Sequence, residues 1–254
     1  LTAEIWRQRE SFAGYAFAKG HSASYAVESY QSLFLKAYYP LEYMVATINN
    51  SGGFYRPEYY LHEARMHGGI IHPPDINKSY AQNFIQGKHI YLGFMMLHAF
   101  ESQNAKKIIR ERERNGMFSD LDDFIDRVPI GLEQLILLIK VNAFRFCNPN
   151  KRELLWEAYM KVHKIEMEEH VQTLFKSEKI SYKTPVLTSS LFEDAFDEIQ
   201  YLDFPLCDPF ALLAEPIQAQ FFANDLYQYV GKEVTVYGYY VTVKKTVTSK
   251  GDLM

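Results

Sequence analysis

Three stretches of the 254-residue chain bring together residue types that could do chemistry. The first is Lys19-Gly20-His21-Ser22, placed where a helical pattern begins at about Ser22. A helix N-terminus offers unpaired N–H groups and about half a positive charge, and Lys19 and His21 add more, which suits a phosphate chain. The same residues also read as an N-capping serine beside an exposed lysine, and the residues alone do not choose. The second stretch is 105–116, where Lys106, Lys107, Arg110, Arg112 and Arg114 put five cations within nine positions. On a helix with Ala105, Ile108 and Ile109 as its apolar face, such a basic face can neutralise nucleic-acid phosphates. A solvated face, partly offset by Glu111 and Glu113, is the plainer reading. The third is acidic. Asp120, Asp122, Asp123 and Asp126 resemble paired carboxylates for two metal ions, yet Ser119 followed by acids is also a helix N-cap with an acidic first turn.

Other motifs fail on spacing. His62 and His67 are five residues apart where a zinc-protease helix needs four, which leaves the rings about 140° apart around the helix. No Walker-type phosphate loop, CxxC pair or Gly-x-Ser-x-Gly elbow occurs, so nothing here suffices for an autonomous enzyme.

Composition bounds the rest. An apolar share of 48% suffices for a sizeable core and excludes disorder throughout. Two cysteines, Cys147 and Cys207, exclude a disulfide scaffold and suit a reducing, cytoplasmic compartment. No apolar run approaches the ~18 residues of a membrane span, so no membrane partner is expected. A net charge of −4 argues against nucleic acid only until it is resolved along the chain. It averages the basic 106–114 stretch with residues 190–216, which hold seven acidic side chains and no Lys or Arg. Leu1 in place of an initiator Met, and a strand pattern cut at Met254, lead to the expectation of a piece of a longer chain.

The elements that position these groups follow from periodicity. Helical patterns run from Glu4 to Tyr39, from Leu41 to Ile48 behind Pro40, and from Pro57 to about His67. Pro73-Pro74 forces 70–77 to be extended, and a short hairpin turns at Gly87. Helices are expected at 102–114, 120–128, 132–141 and 151 to about 176, followed by a polar segment and the acidic one, expected to be separate and surface-mounted. From Lys232 a β-rich run begins, with Val234, Val236, Tyr239, Val241 and Val243 among polar residues. The class is mainly α with a β-stranded tail.

At these residues a resemblance enters. Phe12 to Ala26, Ser29-Tyr30-Gln31 and Leu35 to Pro40 resemble the fingers of the bacterial C-family polymerases, the DNA polymerase III alpha subunits. Pro73-Pro74-Asp75-Ile76-Asn77 resembles the same family's extended segment. Ile108-Ile109, Arg112, Gly116 to Phe124 and Leu138 to Phe144 resemble its tandem helix-hairpin-helix module, and Val230 to Gly238 the opening strand of its OB domain. The resemblance implies four parts: fingers over 1–95, the tandem module over 96–149, a helical and acidic connector over 150–224, and a truncated OB start over 225–254. It implies a piece of a DNA-directed DNA polymerase, with primer-template DNA and a deoxynucleoside triphosphate as partners. Lys19, His21 and Ser22 become candidate triphosphate contacts, and Lys106, Lys107, Arg110, Arg112 and Arg114 candidate DNA contacts. The metal-binding aspartates of the family's palm are not among these residues, so Mg²⁺ belongs to the full-length enzyme and the fragment alone is expected to be inactive.

Departures from the pattern matter. The first hairpin's Gly-x-Gly, whose backbone N–H groups grip a phosphate, is replaced by Ala99-Phe100-Glu101, which implies a structural or weakened hairpin. Asn142 stands for the second module's Gly, a milder change since Asn tolerates left-handed angles. Gly53-Phe54-Tyr55 and Glu63-Ala64-Arg65 lean to the error-prone branch, the Pro-Pro-Asp-Ile-Asn segment to the replicative one. Gln172 to Phe175 and Ser189 to Phe192 are imperfect forms of the family's sliding-clamp motif. The competing class is a non-catalytic DNA-binding or scaffold protein with hairpin and OB modules.

Overall fold

A computed structural model describes residues 2–13, 19–168, 187, 190–215, 217 and 221–241. The chain divides into two units, residues 1–70 with 85–90, and residues 71–84 with 91–254.

In the first unit, α1 (Thr2–Ala13) and α2 (Lys19–Tyr38) precede α3 (Pro40–Asn49) and α4 (Pro57–Met66). Proline sits at the first position of both α3 and α4, where its missing N–H costs nothing. Leu41, Met44, Val45 and Ile48 of α3 meet Leu61 and Ala64 of α4 in a small apolar core. By contrast Tyr25, Tyr30, Leu33, Phe34 and Tyr38 of α2 all face solvent. It begins at Lys19 rather than Ser22, so Lys19, His21 and Ser22 all lie in its first turn.

Three short strands, β1 (Ile70–His72), β2 (Phe84–Gln86) and β3 (His89–Tyr91), form a sheet in the order β1-β3-β2. The hairpin expected around Gly87 is β2–β3. The extended run after Gly69 supplies the third strand.

The second unit holds α5 (Ser102–Asn115), α6 (Leu121–Arg127), α7 (Leu132–Lys140), α8 (Lys151–Glu168) and α9 (Leu191–Leu202). Its core is aromatic at the centre. Phe124 meets Phe118 edge-on at 5.1 Å and Phe144 at 5.0 Å, with Ile108, Leu121, Leu135 and Leu138 fully buried nearby. Asp120 rather than Ser119 caps α6, accepting the Asp123 N–H at 2.8 Å.

Residues 73–79 brace this unit. Arg112 donates to the Ile76 carbonyl at 2.8 Å, and Asn77 exchanges two 2.8 Å hydrogen bonds with the Phe118 backbone. The Ile76 N–H donates to the Ala143 carbonyl, and Arg145 pairs with the buried Asp75 at 3.0 Å. Gly93 closes the segment against residues 81–82, where an added Cβ would lie 2.3 Å from the Gln82 carbonyl carbon, so only glycine fits.

One expectation is corrected. The acidic run is not a separate segment: Ser190 caps α9 by accepting the Glu193 N–H at 3.3 Å, and Ala195, Leu202 and Phe204 are buried against the unit. Among the described residues, 232–241 form no strand. The rest of that run, the polar segment after α8 and the Gln172–Phe175 motif lie outside the described residues.

Candidate nucleic-acid interface

Helical geometry sorts the five cations of α5. Lys106, Arg110 and Arg114 follow at four-residue steps and share one exposed face with Lys107 beside them, spanning roughly 12 Å of helix. Arg112 lies on the opposite face, over Ile108. Only 8% exposed, it donates inward to Ile76 and covers the Tyr80 ring at 5.1 Å. It positions α5 and does not stand with the other four. Lys107 is partly engaged, donating to the Asn104 side chain at 3.3 Å and the Pro129 carbonyl at 3.1 Å.

The acidic residues of α5 do not cancel this face equally. Glu111 turns to Asn115 at 2.7 Å and Arg127 at 3.0 Å, and these hydrogen bonds hold its carboxyl below the usual range. Arg127 also pairs with Asp123 at 2.9 Å and lies over the Phe118 ring at 4.2 Å, tying α6 to the end of α5. Glu113 sits at the rim of the cationic stripe.

The aspartate cluster does not fit a metal ion. Asp120 caps α6, Asp123 accepts from the Ser119 N–H and Arg127, and Asp122 pairs with Lys161. Among the described residues no group of three or more His, Cys, Asp or Glu could hold a metal. His62 and His67 instead face Glu58 and Glu63 on their own helix.

The first hairpin is closed by its own chain. Ala99 takes a left-handed φ of 61°, the angle its missing glycine would favour. Gln134 spans the turn, its Oε1 accepting the Glu101 N–H at 2.9 Å and its Nε2 donating to the Ala99 carbonyl at 2.8 Å. The His98 N–H donates to the Tyr201 carbonyl at 2.8 Å, and the His98 ring meets Asp203 at 2.7 Å. Ala99→Gly is therefore expected to stabilise the fold by up to about 1 kcal/mol, relief of left-handed strain outweighing added chain entropy. Urea unfolding measures it. At the second hairpin Asn142 adopts the left-handed angle its residue type permits, with φ 63°.

Along α9 a row of ion pairs forms. Lys151, 4% exposed at its side chain, reaches Asp194 and Asp197, each at 2.7 Å. Lys140 pairs with Asp197 at 3.4 Å, and Arg152 with Glu193 at 2.8 Å. Burial pushes the Lys151 ammonium down, but its bonds to Asp194 and Asp197 more than reverse this and hold it above the ordinary lysine range. None of Gln134, Lys140, Lys151 and Arg152 stood out in the sequence. The usable signal was Ser190-x-x-Glu193, a helix-start pattern ahead of acids at 193, 194 and 197.

The comparisons with known proteins agree with this architecture. A family model described as a helix-hairpin-helix motif matches residues 68–154. An error-prone DNA polymerase of Bdellovibrio bacteriovorus is 32% identical over 158 residues, 60% of this chain and 15% of the relative. A DNA polymerase III subunit alpha of Thermus aquaticus is 35% identical over 138 residues, 53% of this chain and 11% of that protein. An error-prone DNA polymerase of Vibrio parahaemolyticus is 30% identical over 197 residues, 75% of this chain and 19% of the relative. The chain is homologous to the bacterial C-family DNA polymerases. It spans less than a fifth of the length of these curated relatives. Both error-prone DNA polymerases and a DNA polymerase III subunit alpha occur among them. The family-model match, over residues 68–154, takes in the brace at 73–79.

In the first unit of this C-family homologue, the sequence-read anion pocket is a helical first turn. Ser24 of the next turn donates to the Gly20 carbonyl at 2.9 Å, and the His21 ring packs edge-on against Tyr25 at 4.3 Å. In the clamp-like stretch ending at Phe192, Ser190 caps α9 and Leu191 and Phe192 are its first residues. No helix among the described residues is long and apolar enough to cross a membrane.

Proposed function

We propose that the chain serves DNA-directed DNA synthesis of the polymerase III alpha type, its tandem module holding primer-template duplex. The observation that carries this is the exposed stripe Lys106, Lys107, Arg110 and Arg114 on a helix of a helix-hairpin-helix tandem. Cations at helical spacing meet backbone phosphates, which gives affinity and register without reading sequence. Arg112 serves the same end indirectly, by fixing α5 through Ile76. Lys19, His21 and Ser22 in the first turn of α2 hold the triphosphate of the incoming nucleotide, where helix N–H groups and side-chain charge add. The Mg²⁺ ions of phosphoryl transfer find no fitting ligands among the groups described above, so that chemistry belongs to other residues of the polymerase.

The test is salt-dependent binding of a labelled duplex by anisotropy. The triple reversal Lys106→Glu, Arg110→Glu, Arg114→Glu is expected to flatten the plot of log affinity against log salt by about 2–3 units of slope. An unchanged slope with fold retained removes the duplex role from α5.

A further inference from the structure

Amphipathic helices ordinarily bury their apolar stripe and show their charges to water. In α9 the long side chains reverse this. Phe192, Phe196 and Ile199, at steps of four and three, are 48%, 71% and 41% exposed. Its acidic side faces inward, with the Asp197 side chain only 14% exposed. What the acids meet is a basic edge, Lys140 at the end of α7 with Lys151 and Arg152 at the start of α8. Arg152 meets Glu193 through Nε–H, 3.0 Å from both carboxylate oxygens, and Nη2, 2.8 Å from one of them, a two-donor fork that binds phosphate as readily as carboxylate. At the other end of α9 the donor is backbone, the His98 N–H, which takes the Tyr201 carbonyl. That N–H opens the first hairpin, the turn whose counterpart in this motif grips phosphate.

We propose that Lys140, Lys151, Arg152 and the His98 N–H form a second phosphate track, occupied here by α9 and its C-terminal turn as an internal anion, and that nucleic acid takes the track by displacing them. This rests on the nucleic-acid reading of the tandem and assigns it a second, covered edge. From Glu193 to Tyr201 the track is roughly 12 Å long. The Lys140–Asp197 and Arg152–Glu193 pairs are partly exposed and screened by salt, whereas Lys151 is buried and an incoming phosphate must replace its carboxylate partners. A polyanion, presenting many charges along one line, competes with them by counterion release. Gln134 stays in place under this exchange, since it holds the Ala99–Glu101 turn from within α7.

The experiment uses the whole chain and a labelled duplex of arbitrary sequence. In Glu193→Gln/Asp194→Asn/Asp197→Asn, with helicity unchanged by circular dichroism, affinity is expected to rise about tenfold at low salt. The slope against log salt should steepen by about 2, as further phosphates are neutralised. Adding Arg152→Glu and Lys140→Glu should remove the gain. No gain in the neutralised variant overturns the proposal, whether or not the natural chain binds. Because the neutralised variant deprives Lys151 of its partners, a second measurement leaves the chain intact. Hydrogen exchange of α9 amides should quicken when duplex saturates the natural protein, and exchange that is unchanged or slower also overturns it. The readings separate cleanly: the α5 reversal tests the open stripe, and these two measurements test only the covered edge.

Discussion

Replacing Arg145 with alanine is expected to lower the unfolding free energy of the second unit by about 3–5 kcal/mol, the cost of leaving a buried partner charge unpaired. The Arg145 guanidinium pairs with Asp75 at 3.0 Å and also donates to the carbonyls of Pro74 at 2.8 Å, Asn142 at 3.1 Å and Pro73 at 3.3 Å. The Asp75 side chain is 4% exposed, so it cannot recover hydration once its partner is gone. Asp75 further accepts the Asn77 N–H at 2.9 Å, and its own N–H donates to the Ser79 hydroxyl at 3.0 Å. Removing the arginine thus loosens the turn that carries Ile76 and Asn77 to their partners. Urea unfolding followed by Trp156 fluorescence, in a Trp6→Phe background, reads the unit that contains α8. A loss below about 1 kcal/mol would place Arg145 among ordinary surface cations. The double variant with Asp75→Asn is expected to lose less than the sum of the two single changes, since both remove one interaction.

Phe124→Ala is expected to cost a further about 3–5 kcal/mol by itself, from lost burial and the cavity left among neighbours that cannot close over it. Phe124 is fully buried and touches Phe118 on one side and Phe144 on the other, both edge-on. Phe118 is pinned by Asn77 through its backbone, and Phe144 follows directly on Ala143, whose carbonyl takes the Ile76 N–H. Neither ring is free to move into the gap. Phe124→Leu should cost clearly less, because it removes volume without emptying the site. Equal losses for the two variants would mean that the aromatic edge contacts, lost in both, outweigh the buried volume that leucine retains.

Much of the architecture was legible. Pro40 and Pro57 announce the starts of α3 and α4, Pro73-Pro74 an extended entry that turns at 76–78 instead of running on to 77, and Gly116 the end of α5. The face of α5 was only partly legible. A run of five cations in sequence does not say which one turns inward, and Arg112 does so because Ile76, 36 residues earlier, offers a carbonyl over Ile108. Gln134 was illegible for the same reason, its two hydrogen bonds reaching 33 and 35 residues back. The acidic stretch misled because composition was read without its cap. An uncapped acidic run argues for a solvated segment, whereas Ser190 with acids spaced to meet Lys140, Lys151 and Arg152 argues for a docked helix.

The brace at 73–79 also orders events in time. Asp75 leaves the ribosome about 70 residues ahead of Arg145, and Ile76 well ahead of both Arg112 and Ala143. Joining them closes loops whose entropic cost grows only slowly with length, yet the closure must await the last partner. Until Arg145 emerges, Asp75 has water for a counter-ion and the tandem lacks its keystone. Such distant pairings raise the contact order of an otherwise helical module and make it slower to fold than its short helices suggest.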